Sequence, residues 1–107
     1  IYFDFNESAL TGAAKIAMDE LVLYYGNNKG IQIEIKAYSD GYGDPEYNKQ
    51  MAEQRGQACY DYLIGKGVEP TALLIIPIGA GNFIGANNSF IGRQLNRRVE
   101  FSIIGAK

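Results

Sequence analysis

The stretch that decides the fold is residues 31–64, IQIEIKAYSDGYGDPEYNKQMAEQRGQACYDYLI. It begins with apolar and polar side chains in alternation, a period of two that predicts a strand with one covered face. Two glycines and a proline within residues 39–45 predict a loop, because they break any regular element. From residue 46 to residue 64 apolar residues recur at helical spacing, and Arg55 stands among them.

The arginine occupies the centre of the apolar face of this predicted helix. At about 100° per residue, five residues fall within about 60° of Arg55: Met51, Ala52, Ala58, Cys59 and Tyr62. A buried cation without a partner costs several kcal/mol. We therefore expect a fixed carboxylate, or a ligand that brings one, beside the guanidinium.

Asp40, which follows the strand, is the expected partner of Arg55. The residues alone leave two readings of equal weight. In the first, the two side chains form a structural ion pair. In the second they hold a zwitterionic ligand: Arg55 donates two parallel hydrogen bonds to the ligand's carboxylate, and Asp40 accepts a hydrogen bond from the ligand's ammonium. Asn48, on the same helical face, would add an amide to that site.

The residues before this stretch predict a strand and a helix. Residues 1–6 alternate like a short strand. The helix is expected to have Ser8 as its N-cap and to stop at Gly26-Asn27-Asn28. Its inward face is expected to carry Leu10, Ala14, Ala17, Leu21 and Tyr24 or Tyr25.

The residues after it complete an α+β fold. The apolar run 73–78 predicts a strand buried on both faces. Pro77 indicates either that this strand lies at an edge or that pairing stops there. Residues 79–92 predict a loop, and alternation at Val99, Phe101 and Ile103 predicts a last strand. The expected order is β-α-β-α-β-loop-β, with two helices packed on one face of a four-stranded mixed sheet, in one domain that spans residues 1–107.

Composition excludes several classes of function. The 107 residues carry 10 basic and 12 acidic side chains, a net charge of −2, so neither nucleic acid nor an anionic membrane is an expected partner. The absence of histidine and the single cysteine, Cys59, argue against a metal site, a cofactor and a disulfide. No run of about 18 apolar residues predicts membrane insertion.

Three further features have ordinary explanations. The glycines at 79, 81 and 85 lack the Gly-Lys-Ser/Thr ending of a phosphate loop. The basic patch at residues 93, 97 and 98 is expected to be a solvated strand edge. No carboxylates pair at a defined spacing, so we expect no enzymatic activity.

The chain resembles the OmpA-like peptidoglycan-binding domain family along nearly its whole length. Motifs of that family match Ile1 to Asn6 with Ser8 and Leu10, Ser39-Asp40 with Gly43, Tyr47-Asn48, Met51 to Arg55, Gly79-Ala80-Gly81, Gly92-Arg93, and Asn96 to Phe101. One departure is clear. Where the family usually has Gly-His-Thr-Asp, this chain has Ala37-Tyr38-Ser39-Asp40.

The resemblance implies a ligand and the residues that bind it. The ligand is meso-diaminopimelate of the peptidoglycan stem peptide, with Asp40 on its ammonium and Arg55 on its carboxylate. The same resemblance places Asn6, Tyr42, Asn48 and Arg97 in the pocket lining, and Ser39 completes the candidate set.

The expected function is therefore non-covalent, non-catalytic attachment to the cell wall. The domain would be a module of a longer envelope protein, on the periplasmic side of the envelope and attached to an outer-membrane anchor. The alternative is an assembly domain that keeps the fold and docks to another envelope protein.

Overall fold

The computed structural model describes residues 1, 9–28, 30–39, 44–80 and 96–105, with the backbone alone at residues 79 and 80. The longer elements are two helices, α1 (Gly12–Asn27) and α2 (Pro45–Gly65), and three strands, β1 (Gln32–Ser39), β2 (Leu73–Ala80) and β3 (Val99–Ile104). A short 3-10 helix, Pro70–Ala72, precedes β2.

These strands form a mixed sheet in the order β2-β1-β3. The central strand β1 pairs parallel to β2 and antiparallel to β3. The α+β class and the mixed sheet are thus confirmed, with three of the four predicted strands. The first predicted strand lies outside the described residues except for Ile1, which exchanges both backbone hydrogen bonds with Val99 at 2.8 Å.

The two faces of β1 differ as the alternation predicted. Ile33, Ile35 and Ala37 are fully buried, whereas Gln32 on the opposite face is exposed. The inward residues join one core cluster with side chains from both helices. We call the other face of the sheet the outer face.

Helix α1 differs from the prediction at its start and on its inward face. Its N-cap is Thr11, whose hydroxyl accepts a hydrogen bond from the Ala14 N–H at 3.1 Å, so the prediction of Ser8 was wrong. Met18 is fully buried, and Ala17, predicted to face inward, is exposed. The larger side chain has more apolar surface to remove from water, which favours this register.

Helix α2 has clear signals at both ends. Its N-cap is Asp44, whose carboxylate accepts from the Tyr47 N–H at 2.9 Å. At the other end Gly67 has a φ of 99°, a left-handed conformation that favours glycine. There the Gly67 N–H donates to Ile64 O and the Val68 N–H to Leu63 O, the pair of bonds that defines a Schellman motif.

Polar side chains also join the two helices directly. The Tyr62 hydroxyl donates to Asp19 Oδ1 at 2.6 Å, and Lys66 Nζ lies 3.9 Å from the same carboxylate oxygen. The hydrogen bond to Asp19 favours the neutral phenol and so raises the pKa of Tyr62.

Strand β2 is an edge strand within the described sheet, as Pro77 predicted. Burial on both faces was wrong, because Leu74 is 57% exposed. The strand also extends to Ala80, two residues into the segment predicted as a loop. A continuous apolar run indicates a strand but does not show that both of its faces are covered.

Helix α2 packs tightly against the sheet at Gly56. A Cβ atom there would lie 2.9 Å from Ile75 Cγ2 and 3.4 Å from Ala37 Cβ. Glycine therefore lets the helix backbone lie directly against β1 and β2, and so it sets the distance of α2 from the sheet.

We expect Gly56→Ala to lower the free energy of unfolding. Alanine gains about 1 kcal/mol of helix propensity over glycine, but overpacking typically costs about 1–3 kcal/mol. The matched control is Gly65→Ala, where an added Cβ meets nothing within 4 Å and the propensity gain should remain. Urea unfolding of both variants measures the difference, and equal stabilisation would contradict this packing.

Candidate functional site

Buried polar side chains concentrate at one end of the core. Among the described residues, six polar or charged side chains are buried. They come from the end of β1, from α2 and from the residues that lead into β3, and they are Ser39, Asn48, Arg55, Asn96, Arg97 and Arg98.

The topology explains why these segments meet. Gly56 packs beside Ala37, and Val99 at the start of β3 lies opposite the same residue. Ser39 is two residues further along β1, and Asn48 lies about 12 Å from Gly56 towards the start of α2 at 1.5 Å per residue. The end of β1, the first half of α2 and the start of β3 therefore form one end of the domain.

Arg55 lies where the helical spacing predicted. Its side chain is 1% exposed, and Ala52 and Cys59 on the same face are fully buried. Met51 is also buried, and Ala58 and Tyr62 at the margins of that face are half-buried. A guanidinium removed from water to this extent requires polar or charged neighbours, because its desolvation costs several kcal/mol. Arg55 does have an interaction partner in the folded domain.

Four of the seven candidate ligand-binding residues can be compared with the structure. Ser39 is 2% exposed, Asn48 8% and Arg97 3%, and these three lie with Arg55 at the same end. The other three, Asp40, Tyr42 and Asn6, lie outside the described residues. Asp40 directly follows Ser39 in the sequence.

The end of β1 also adjoins the glycine-rich motif after Pro77. Tyr38 is in register with Gly79 and Ser39 with Ala80, and the register shifts between Ala37 and Tyr38. Such a β-bulge interrupts the regular ladder and changes the direction of the strand. The Gly79-Ala80 pair is therefore part of the sheet edge beside the buried Ser39.

Arg97 and Arg98 do not form a solvated strand edge, so the prediction was wrong for these two residues, and Arg93 lies outside the described residues. Arg97 and Arg98 are 3% and 4% exposed. The Arg98 guanidinium lies over the Tyr38 ring, 3.9 Å from its centroid, and Arg98 Nε donates to Glu100 Oε2 at 2.6 Å. Sequence reasoning missed Tyr38 and Arg98, although in antiparallel strands in which Ala37 faces Val99 these two residues must be neighbours.

The site offers binding groups more readily than catalytic ones. Amide, hydroxyl and guanidinium groups recognise carboxylates through hydrogen bonds. Within residues 9–28, 30–39, 44–80 and 96–105 no group of three or more acidic or cysteine side chains is placed to hold a metal ion. In the same ranges no helix is long and apolar enough to cross a membrane.

Comparison with known proteins decides the family. The sequence profile of the OmpA family matches residues 2–97 of the 107. The chain belongs to the OmpA family. This domain is 29% identical over 109 residues to outer membrane protein A of Bordetella avium, a match that covers 99% of the chain and 55% of the relative. It is 26% identical over 120 residues to outer membrane protein A of Serratia marcescens, covering 100% of the chain and 33% of the relative.

The OmpA-family domain therefore spans about half the length of one of these relatives and a third of the other. Solved structures show the same fold. The peptidoglycan-associated lipoprotein of Burkholderia pseudomallei superposes with a TM-score of 0.90 at 20% identity, over 96% of this chain and 87% of that one. The C-terminal domain of Helicobacter pylori MotB gives a TM-score of 0.87 at 22% identity, over 97% and 82%.

The thiol on the Arg55 face tests the register of α2 chemically. Burial raises the pKa of Cys59 from 9.0 to about 12, so the reactive thiolate is scarce in the folded OmpA-family domain. We expect a thiol reagent to label the native protein slowly at pH 8 and the urea-unfolded protein rapidly. Rapid labelling of the native protein would contradict the assigned face.

The same shift gives stability a pH dependence. A folded pKa above the unfolded value means that the stabilisation is present below pH 9 and is lost as the pH rises towards 12. The loss contributed by Cys59 is at most on the order of 4 kcal/mol at 1.36 kcal/mol per pH unit. Unfolding of Cys59→Ala should accordingly depend less on pH over this range than that of the wild type.

Proposed function

We propose that this OmpA-family domain binds cell-wall peptidoglycan non-covalently through the diaminopimelate residue of the stem peptide. Binding would anchor the parent protein to the wall on the periplasmic side of the envelope. The observation that carries the proposal is the burial of the Arg55 guanidinium at the end of the domain where Ser39, Asn48 and Arg97 are also buried, in a chain of this family.

The chemistry of the ligand suits that group. Diaminopimelate ends in an ammonium and a carboxylate on one carbon. Arg55 would form a bidentate fork with the carboxylate, which a planar guanidinium does better than an ammonium group. Asp40, next to Ser39 in the sequence, would accept from the ligand ammonium. Each charge of the ligand would then have one opposite charge of the protein.

The remaining candidates would complete the pocket with neutral donors, acceptors and a second cation. Asn48 would offer its amide from the face of α2 that carries Arg55, and Ser39 and Arg97 would contribute from the ends of β1 and β3. Asn6 and Tyr42 enter the proposal through the family resemblance. All of these groups bind, and none is proposed to break or form a covalent bond.

The relatives support this reading. One protein with the same fold is a peptidoglycan-associated lipoprotein, and its name states the association. The matched relatives are outer membrane proteins. A domain that binds the wall from an outer-membrane anchor would have to lie in the periplasm.

A second candidate is an envelope assembly domain. Its support is the exposed side of α1, where Ile16 and Leu23, seven residues apart, are 65% and 70% exposed. Residues seven apart lie on one helical face and could contact another protein. This candidate does not explain the buried polar end of the core, so we rank it second.

The first test changes each member of the proposed pair while keeping most of the side-chain volume. Asp40→Asn removes the carboxylate charge, and Arg55→Lys keeps a positive charge but removes the planar bidentate donor. Each should weaken binding at least about tenfold, because a buried hydrogen-bonded charge contact typically contributes about 2–5 kcal/mol. Co-sedimentation with diaminopimelate-type peptidoglycan and calorimetric titration measure the loss.

The matched control for Asp40→Asn is Asp61→Asn, the same chemical change on the exposed side of α2, where Asp61 bonds only to Gln57 among the contacts described. It should sediment with the wall like the wild type. Wild-type affinity in both Asp40→Asn and Arg55→Lys would refute this site and favour the assembly candidate.

The second test compares stem peptides. Lysine supplies the amine of diaminopimelate but no carboxylate for Arg55. A buried charged donor left without its partner costs at least about 1–3 kcal/mol, so we expect roughly ten- to a hundredfold weaker binding of lysine stems. Cross-linking converts the ammonium to an amide and should weaken binding further.

Calorimetry with lysine-containing muropeptides and with cross-linked and uncross-linked diaminopimelate-containing muropeptides measures both effects. Muropeptides are used because free lysine has an α-ammonium and an α-carboxylate of its own. Asp40→Asn should lose the preference for the uncross-linked form, because that preference depends on the ammonium. Equal affinity for diaminopimelate and lysine forms would rule out recognition of both charges.

A further inference from the structure

Tyr38 is the most deeply buried residue of β1 on the outer face of the sheet. It is 4% exposed, whereas Gln32 on the same face is exposed and Glu34 and Lys36 are half-buried. Its cover is Arg98, whose guanidinium lies 3.9 Å from the ring centroid. Glu100 fixes that guanidinium through a hydrogen bond of 2.6 Å from Arg98 Nε.

The backbone of the two residues is joined as well. The Tyr38 N–H donates to Arg98 O at 2.8 Å. Tyr38 is therefore held to the start of β3 by one main-chain bond and one stacked side chain. We call this pair of contacts the Tyr38–Arg98 clamp.

The clamp lies where the other side of β1 is least regular. The register between β1 and β2 shifts immediately before Tyr38, so that Ala37 pairs with Pro77 but Tyr38 pairs with Gly79. Proline has no N–H to donate, and a bulge leaves one residue of the ladder unpaired. On that side the regular ladder is interrupted just before Tyr38 and resumes at Gly79 and Ala80.

We propose that the Tyr38–Arg98 clamp is a positioning device for the binding site, and this inference rests on the proposed function. It fixes the end of β1 from the outer face, and the two residues that follow Tyr38 are Ser39 and Asp40. Arg98 and the Tyr38 ring do not contact the ligand in this proposal. They set where Ser39 lies relative to Arg55.

The physical reason is tolerance. A binding constellation has to be held within about 0.5 Å of its productive geometry by side chains that are themselves locked. A flat ring stacked under a guanidinium has a defined separation, and the Glu100 carboxylate removes the rotation of that guanidinium. An aliphatic residue at position 38 would fill volume but would not fix the guanidinium above it.

Two substitutions separate the ring from its hydroxyl. Tyr38→Phe keeps the stacked ring and should keep the wild-type affinity for free meso-diaminopimelate in calorimetry. Tyr38→Leu removes the ring and should weaken binding roughly fivefold or more, since the end of β1 would no longer be held within the tolerance of the binding site. The destabilised control is Ile33→Val, near the other end of β1, which should bind like the wild type.

Amide chemical shifts provide a readout that general destabilisation would not move. In the ligand-free protein, Tyr38→Leu should shift the amide signals of Asn48 and Arg55, which lie on α2 and not beside the substituted ring. Ile33→Val and Tyr38→Phe should leave those signals in place.

The outcomes separate this inference from the proposed function. If the wild type binds and Tyr38→Leu binds equally well, the clamp is not a positioning device and the proposed function stands. If Ile33→Val loses as much affinity as Tyr38→Leu, the effect is one of stability and the inference also fails. If the wild type does not bind diaminopimelate, the proposed function fails and takes this inference with it.

Discussion

The burial of the Arg55 guanidinium is the constraint on which the polar end of this domain depends. Arg55 heads the set of largest fully buried side chains, ahead of Met18 and the core isoleucines. Removing such a cation from water costs several kcal/mol, a large fraction of the 5–15 kcal/mol that typically separates folded from unfolded states. The neighbouring structure therefore has to supply polar groups, and Ser39, Asn48 and Arg97 are buried at the same end of the domain.

The core is consequently divided along its length. At the end of the core formed by the start of β1 and the end of α2, the inward residues are apolar, as Ile33 and Leu63 show, and they supply hydrophobic stabilisation. At the opposite end, formed by the end of β1 and the start of α2, the same two elements bury Ser39 and Asn48. Gly56 lies at the boundary, where its close packing against Ile75 and Ala37 sets the distance of α2 from the sheet. A bulkier residue there would move α2 outward and with it the guanidinium that precedes it.

Sequence reasoning predicted β1, α2 and the orientation of Arg55, because alternation and helical periodicity are strong in those segments. It placed the inward face of α1 wrongly at Ala17, since a helix rich in small residues has a weak periodic signal. It also treated Arg98 as a solvated residue. Charge alone indicates exposure, and only the pairing of β1 with β3 shows that an aromatic ring lies beneath this guanidinium. The structure brings four of the seven candidate residues to one end of the fold. This grouping depends on tertiary packing, which no local sequence pattern contains.

Arg97 and Arg98 show how adjacent residues of one type can serve different purposes. Both are buried, but Arg98 has its cover and its counter-charge on the outer face, in Tyr38 and Glu100. That ion pair has one exposed partner, since the Glu100 side chain is 48% exposed, so its contribution lies more in geometry than in energy. A guanidinium that stacks on Tyr38 and bonds to Glu100 on the outer face cannot also bind a ligand at the inner face. In the proposed site the ligand-binding cations would therefore be Arg55 and Arg97, and Arg98 would hold the end of β1 in place.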